Sequence, residues 1–186
     1  RDILNHMEEL QQTLLKDDCY IPNIRNRDAL DLARTALVTA TSAKDGFGPE
    51  QTVNGISRGE GESRNIWVSD GLSACGETLT VQLQQKSQVS QVRLTFDSNF
   101  NYAIKLTLSG KRQKQQRIGI PPELVKHYTV CLWNGDQKVG EKTVCNNVQR
   151  ANIVDFEPAV CDKVTITVHA TNGAEDARVY EVRVYA

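Results

Sequence analysis

The first hydrophobic pattern along the chain has helical spacing. Ile3, Met7, Leu10 and Leu14 recur at steps of four, three and four, with Glu8, Glu9, Gln11 and Gln12 between them, which predicts an amphipathic helix over 2–16. No second helix of comparable length follows to cover its apolar stripe. The stripe must therefore pack on the rest of the chain, on another chain or on a domain lying upstream, and the upstream domain is preferred. Turn-forming residues come next: Asp17, Asp18, Pro22, Asn23, Asn26 and Asp28 mark a linker, with one helical turn over 28–34. Helix and linker together make a first segment over 1–34.

From Thr35 onward the apolar period falls to two. Leu79, Val81 and Leu83 alternate with polar residues, as do Val92, Leu94 and Phe96, then Ile104, Leu106 and Leu108. The chain closes on Val164, Ile166 and Val168 and on Val179, Val182 and Val184. Alternation of this kind predicts half-buried strands. Between them stand Asp45-Gly46, Asn54-Gly55, Ser109-Gly110, Asn134-Gly135 and Asn172-Gly173, the residues that tight antiparallel connections use. Pro121-Pro122 predicts a short helical turn leading into a strand over 128–133. About eight short strands without interleaved helices predict an all-β, two-layer sandwich or jelly roll over 35–186. Trp67, at a strand start after a turn, is expected in its core, while Trp133 suits either core or surface.

Charge narrows the function only by exclusion. The chain has 22 basic and 23 acidic residues, interspersed, for a net charge of -1, so no long-range field draws nucleic acid or an anionic membrane. No apolar run reaches the length that spans a bilayer. A start at Arg1, without an initiator Met or a leader, predicts an N-terminus made by truncation or processing. Five cysteines, Cys19, Cys75, Cys131, Cys145 and Cys161, are an odd number without a C-x-x-C pair. They imply neither a zinc site nor a complete disulfide framework, and Cys131, inside Val130-Cys131-Leu132-Trp133, reads as a core residue. Compartment stays open, with an extracytoplasmic setting, periplasmic or secreted, preferred over the cytoplasm.

Catalytic patterns are hard to assemble from these residues. His6 falls on the predicted helix, His127 at a strand entry, and His169 on the strand face opposite Ile166 and Val168, where a solvent-facing side chain is the ordinary outcome. Gly59-Glu60-Gly61-Glu62 lacks the Lys and the helix of a phosphate loop and carries carboxylates that repel phosphate. The dinucleotide-binding glycine fingerprint is absent. The basic run from Lys111 to Arg117 holds no aromatic residue on which a base could stack, and it reads as a solvated loop.

Three stretches carry a family resemblance. Val53-Asn54-Gly55 followed by Asn65-Ile66-Trp67-Val68-Ser69 resembles the opening of galactose-binding-like domains of the discoidin, or coagulation factor type C, kind. Val89 to Asp97 is similar to a following strand of that family, and Lys163 to Tyr185 to its closing strands. A nearer likeness is to the C-terminal β-domain of bacterial FAD-dependent oxidoreductases, some of them labelled xanthan lyase. Leu14 to Ile24, Pro121-Pro122-Glu123-Leu124-Val125-Lys126-His127-Tyr128, Asn146-Asn147-Val148-Gln149-Arg150 and Thr171-Asn172-Gly173 carry it. The resemblance implies a galactose-binding-like jelly-roll sandwich. It also places the flavin site upstream, outside this chain, with the N-terminal helix belonging in part to that catalytic body. No cofactor is expected in the fragment itself; the resemblance offers a structural calcium as a candidate, set against the alternative that Asn54 merely supplies a left-handed turn beside Gly55.

In that family the calcium is held near the first loop by main-chain carbonyls, a turn Asp, a Thr before the Trp and a Glu of the last strand. The matching positions here are Asn54, Asn65 and Glu181; two neutral amides replace the Asp and Thr, which lowers the ligand charge that a hard cation favours. Glycan recognition in such sandwiches uses loops at one end, where an aromatic face stacks on the sugar and polar groups fix its hydroxyls. Phe47, Phe100 and Tyr102 are the candidate aromatic residues, with Arg58, Asn99 and Asn101 as polar partners; a loop Phe equally often plugs its own loop. Arg150, Arg178 and Arg183 are read as ion-pair partners of Asp155, Glu175 or Glu181, ahead of a role in holding acidic sugars. The expected function is a non-catalytic accessory module that binds carbohydrate or, alternatively, docks on its upstream domain without a ligand. Polysaccharide cleavage by the piece itself is disfavoured, since no His, Tyr and Arg cluster suggests itself.

Overall fold

The computed structural model describes residues 28–59, 64–100, 102, 106, 108–116 and 118–186. The expected amphipathic helix over 2–16 lies outside them, as do His6, Cys19 and Asn101. Seven strands form one antiparallel sheet: β1 (Leu37–Ala40), β2 (Trp67–Val68), β3 (Glu77–Phe96), β4 (Val125–Asn134), β5 (Gln137–Val144), β6 (Ala151–Thr171) and β7 (Arg178–Tyr185). Short 3₁₀ turns at Leu32–Thr35 and Pro49–Val53 flank β1, and a single helical turn, Gly110–Gln113, sits in the long connection from β3 to β4.

Two strands of about twenty residues fold this sheet into two layers. The first half of β3 pairs with β1 and with the second half of β6, which carries β4 and then β5. The second half of β3 pairs with β7 and with the first half of β6, and β7 carries β2. The β3–β6 register slips between Gln82 and Ser87 and again between Val89 and Gln91. Those slips do structural work. Before them β3 buries the odd positions Leu79, Val81 and Leu83; after them it buries Val92, Leu94 and Phe96. An extra residue in a strand reverses which face its side chains take, so the slip lets both halves aim at one core while the strand bends.

The layers close on one another. Phe96 of the second layer meets Tyr128 of β4 edge to face, with ring centroids 5.0 Å apart, although their strands are not paired. Trp67, Val81, Val92, Ile166 and Val182 belong to the same buried cluster. Trp67 is fully buried as expected, and its Nε1–H donates to the Ser42 carbonyl at 2.9 Å. Trp133 is half-buried, its Nε1–H donating to Thr165 Oγ1 at 3.0 Å. Ahead of β1, buried Asp31 caps the first 3₁₀ turn through the Ala33 N–H and accepts the Val184 N–H at 3.0 Å, which ties this turn to the last strand.

The strand expected around Ile104, Leu106 and Leu108 falls largely outside the described residues. Leu106 and Leu108, placed on a strand by their alternation, belong to none of the strands of the described residues and are fully exposed. The strand expected over 128–133 begins earlier, at Val125, after a turn at Pro121 in which the Leu124 N–H donates to the Pro121 carbonyl. His169 is exposed as its alternation required, and its Nε2 lies 2.9 Å from Thr129 Oγ1.

Candidate functional site

The connection leaving β3 is fastened at its root and open at its tip. Asp97, buried, accepts the Asn99 N–H at 2.7 Å and faces Arg178 Nη1 at 3.4 Å. Arg178 also donates to Asp176 at 2.7 Å, and Lys44 reaches the same carboxylate at 2.6 Å. Burial pushes the Asp176 carboxyl up, but these donors outweigh it and hold the group below its ordinary range. Asn99 then turns the chain with a positive φ of 53°, a conformation that Asn tolerates better than other side chains. Its Nδ2 donates across to Glu123 Oε1 at 2.8 Å, stitching the two ends of the long connection together.

Beyond that stitch the chain opens a cleft of about 410 Å³. Asn99, Phe100 and Tyr102 form one wall; Ile118, Ile120 and Pro121 form the other. Phe100 is 74% exposed, and the Arg150 guanidinium lies 4.7 Å from its ring centroid. Arg150 also faces the Tyr180 ring at 5.6 Å and donates from Nη2 to the Ser57 carbonyl, while its buried Nε has no partner. Burial draws its pKa below the ordinary value, with nearby Tyr180, Asp97 and Glu181 opposing. A cation behind the ring reinforces one face and leaves the other for a ligand.

The sequence-derived aromatic and polar candidates therefore separate. Asn99, Phe100 and Tyr102 share the cleft. Arg58 is exposed and follows Ser57, whose carbonyl Arg150 holds, so its backbone stands at the same end of the sandwich without lining the cleft. Phe47 stands apart: its ring is half-buried and covered by Arg64 at 4.3 Å, and its carbonyl accepts the Val68 N–H. Sequence reading missed Arg150 as the support of Phe100 and missed the wall from Ile118 to Pro121. The signal was the exposed-type sequence Ile-Gly-Ile-Pro-Pro directly after a basic run. Of the expected ion pairs, Arg183 meets Glu181 at 2.9 Å; Arg178 pairs with Asp176 and Asp97, and Asp155 instead accepts from Gln91 at 2.8 Å.

Of the three candidate calcium positions, Asn54 and Asn65 touch. Asn54 Nδ2 donates to Asn65 Oδ1 at 2.9 Å, and Asn54 Oδ1 accepts the Ile56 N–H at 2.8 Å. The β2–β7 ladder pairs Trp67 with Val179 and Val68 with Arg178, on the strand that carries Glu181, while Asn65 precedes β2 with a positive φ of 44°. Glu181 is only 2% exposed; Arg183 engages its Oε2, and its Oε1 is buried without a partner. That orphaned oxygen fits a cation. The amides fit it less well, being neutral and already hydrogen-bonded, and among the described residues no cluster of His, Cys, Asp or Glu side chains adds charge there.

No protein-family model matches the chain, and no curated protein matches it in sequence. Solved structures do share its fold. A fucose-binding module of Streptococcus pneumoniae matches with a TM-score of 0.62 at 16% identity, over 86% of this chain and 97% of that one. The lectin domain of lectinolysin in complex with Lewis B antigen matches with a TM-score of 0.64 at 16% identity, over 85% and 97% of the two chains. The family 32 carbohydrate-binding module of C. perfringens NanJ, in complex with galactose, matches with a TM-score of 0.60 at 18% identity, over 84% and 98%. The fold is the galactose-binding-like β-sandwich; at these identities the likeness concerns the fold alone.

Proposed function

We propose that this chain is a non-catalytic carbohydrate-binding module whose sugar sits in the cleft beside Phe100. The observation that carries the reading is a largely exposed aromatic ring, backed by a guanidinium, in the wall of a cleft between loops. A sugar ring presents a flat C–H face that stacks on such a ring, and Asn99 and Tyr102 supply polar atoms for hydroxyls. That solved sandwiches of this fold include a fucose-binding module and a galactose complex supports it. The test is a glycan array followed by titration of Phe100→Ala, which should weaken the best glycan by about 2 kcal/mol, roughly thirty-fold, without lowering thermal stability. Unchanged affinity in that variant rejects the site.

The setting forms part of the proposal. Its sequence likenesses suggest a module appended to a larger FAD-dependent oxidoreductase-like protein in an extracytoplasmic compartment, with the upstream domain as partner. Exposed Leu30 and Leu37, beside the first 3₁₀ turn, favour a second role on that side: docking on the upstream domain. Leu37→Ser should then weaken a complex with that domain while leaving glycan binding intact. A structural calcium, if held, takes Glu181 Oε1 and the Asn54 and Asn65 amides as ligands and ties the first loop to β7.

A further inference from the structure

The connection that supplies the cleft's lining carries charge of one sign. Between Asp97 and Glu123 the sequence holds Lys105, Lys111, Arg112, Lys114 and Arg117 and not a single carboxylate. Lys111 and Arg112 lie on the helical turn Gly110–Gln113 and Lys114 caps it; all three are exposed and make no ion pair with any described residue. Ile118 of the cleft lining is only four steps along the chain from Lys114, so the chain holds their Cα atoms within about 14 Å. The acids that bound the segment are already engaged, Asp97 with Arg178 and Glu123 with Asn99. Behind Phe100 stands the further cation of Arg150.

This excess is local, because the whole chain carries a net charge of -1. A nucleic acid or a charged membrane would be gathered by a broad basic surface. Here the cations instead lie in the connection whose two ends line a concave site of single-ligand size with an aromatic residue in its lining. Resting on the carbohydrate reading above, we propose that the cleft takes an acidic glycan, with a sugar ring on Phe100 and its carboxylate or sulfate toward Lys111, Arg112 and Lys114. The recognised chemistry is a sugar-borne anion. Uronate carboxylates and sulfate esters are its two sources.

The experiment is calorimetric titration of the full chain with an oligogalacturonate, its methyl ester, a sulfated galacto-oligosaccharide and the neutral parent, at about 0.05 M and about 0.5 M salt. One or both acidic ligands should bind roughly ten-fold tighter than their neutral counterparts, and the preference should collapse at the higher salt. The triple variant K111Q/R112Q/K114Q should lose the preference and keep the neutral affinity, whereas F100A should lose both. Equal binding of acidic and neutral ligands, or a triple variant that keeps the preference, overturns the charge inference and leaves the carbohydrate reading standing. Binding of none of the glycans rejects both. Tighter binding to phosphatidylserine vesicles or to single-stranded DNA than to any glycan also overturns it.

Discussion

Leu79, Val81 and Leu83 alternate with polar residues and are buried; Leu106 and Leu108 alternate in the same way and are fully exposed. The two stretches carry the same local signal and differ in what surrounds them. The first has β1 on one side and β6 on the other, so its backbone groups are paired and its apolar face is covered. The second follows the turn at Asn99, and among the described residues Leu106 and Leu108 belong to no strand. Period-two alternation thus states which face a strand would bury, but whether a strand forms depends on a partner elsewhere in the chain. The greasy side chains left uncovered lie in the same long connection that builds the cleft.

The largest test of that difference compares truncations. Trp67→Ala or Phe96→Ala removes a fully buried aromatic from the point where the layers meet and should cost about 3–5 kcal/mol, enough to unfold a marginal domain. Leu106→Ser and Leu108→Ser should change stability by less than about 0.5 kcal/mol. Urea unfolding of the four variants measures both. A loss of more than about 1 kcal/mol at Leu106 or Leu108 would mean that this connection is covered after all.

Much of the fold was legible in the residues for a physical reason. Each closing strand carries its own alternation, and Trp67 and the Val179–Val184 alternation announce core positions locally. The alternations at 79–83 and 92–96 read as two short strands; that one long strand carries both, bent where odd buried positions give way to even, was not legible, because the slips against β6 that bend it are tertiary. The site was legible in part. Asn99, Phe100 and Tyr102 are near in sequence and share a turn, so reading them together needed no tertiary knowledge. Arg150 and Ile118 arrive from distant segments, and Arg150 is chemically indistinguishable from an ordinary surface ion-pair partner until Phe100 is placed over it. Phe47 failed to join them because its own loop folds it under Arg64.

A second comparison sets the cleft against the corner of Asn54, Asn65 and Glu181. In the cleft Phe100 leaves most of its ring exposed; in the corner almost every polar atom has an internal partner, with Glu181 Oε1 the exception. A calcium ion bound there by one carboxylate and neutral oxygens should be weak, with Kd of about 10⁻⁴ to 10⁻³ M. Calcium at ten times Kd should then stabilise the fold by about 1.4 kcal/mol, and a chelator should remove the gain. Glu181→Gln should abolish the response. Identical melting curves with calcium and with chelator would show that Arg183 alone balances Glu181, and that the corner needs no ion.

The smallest expected effect contrasts two tyrosines. Tyr102 opens onto the cleft, whereas Tyr128 is fully buried between the layers, and its hydroxyl has no partner. A buried polar atom left unpaired costs free energy, so Tyr128→Phe should stabilise the fold by about 1 kcal/mol while Tyr102→Phe leaves it unchanged. Alkaline pH separates them further. Burial raises the Tyr128 pKa from 10.0 to about 12, so the fold favours the neutral phenol. That contribution is fully present below the unfolded value and is lost as pH rises from about 10 through 12, where the unfolded chain ionises first. Cys161, pushed up to about 11 chiefly by burial, leaves part of the same alkaline loss in the variant. Tyr128→Phe should therefore flatten the fall in melting temperature above pH 10 without removing it. A fall that is no flatter in Tyr128→Phe would mean that the phenol ionises as readily in the folded core as in the unfolded chain, and that burial against Phe96 does not hold it neutral.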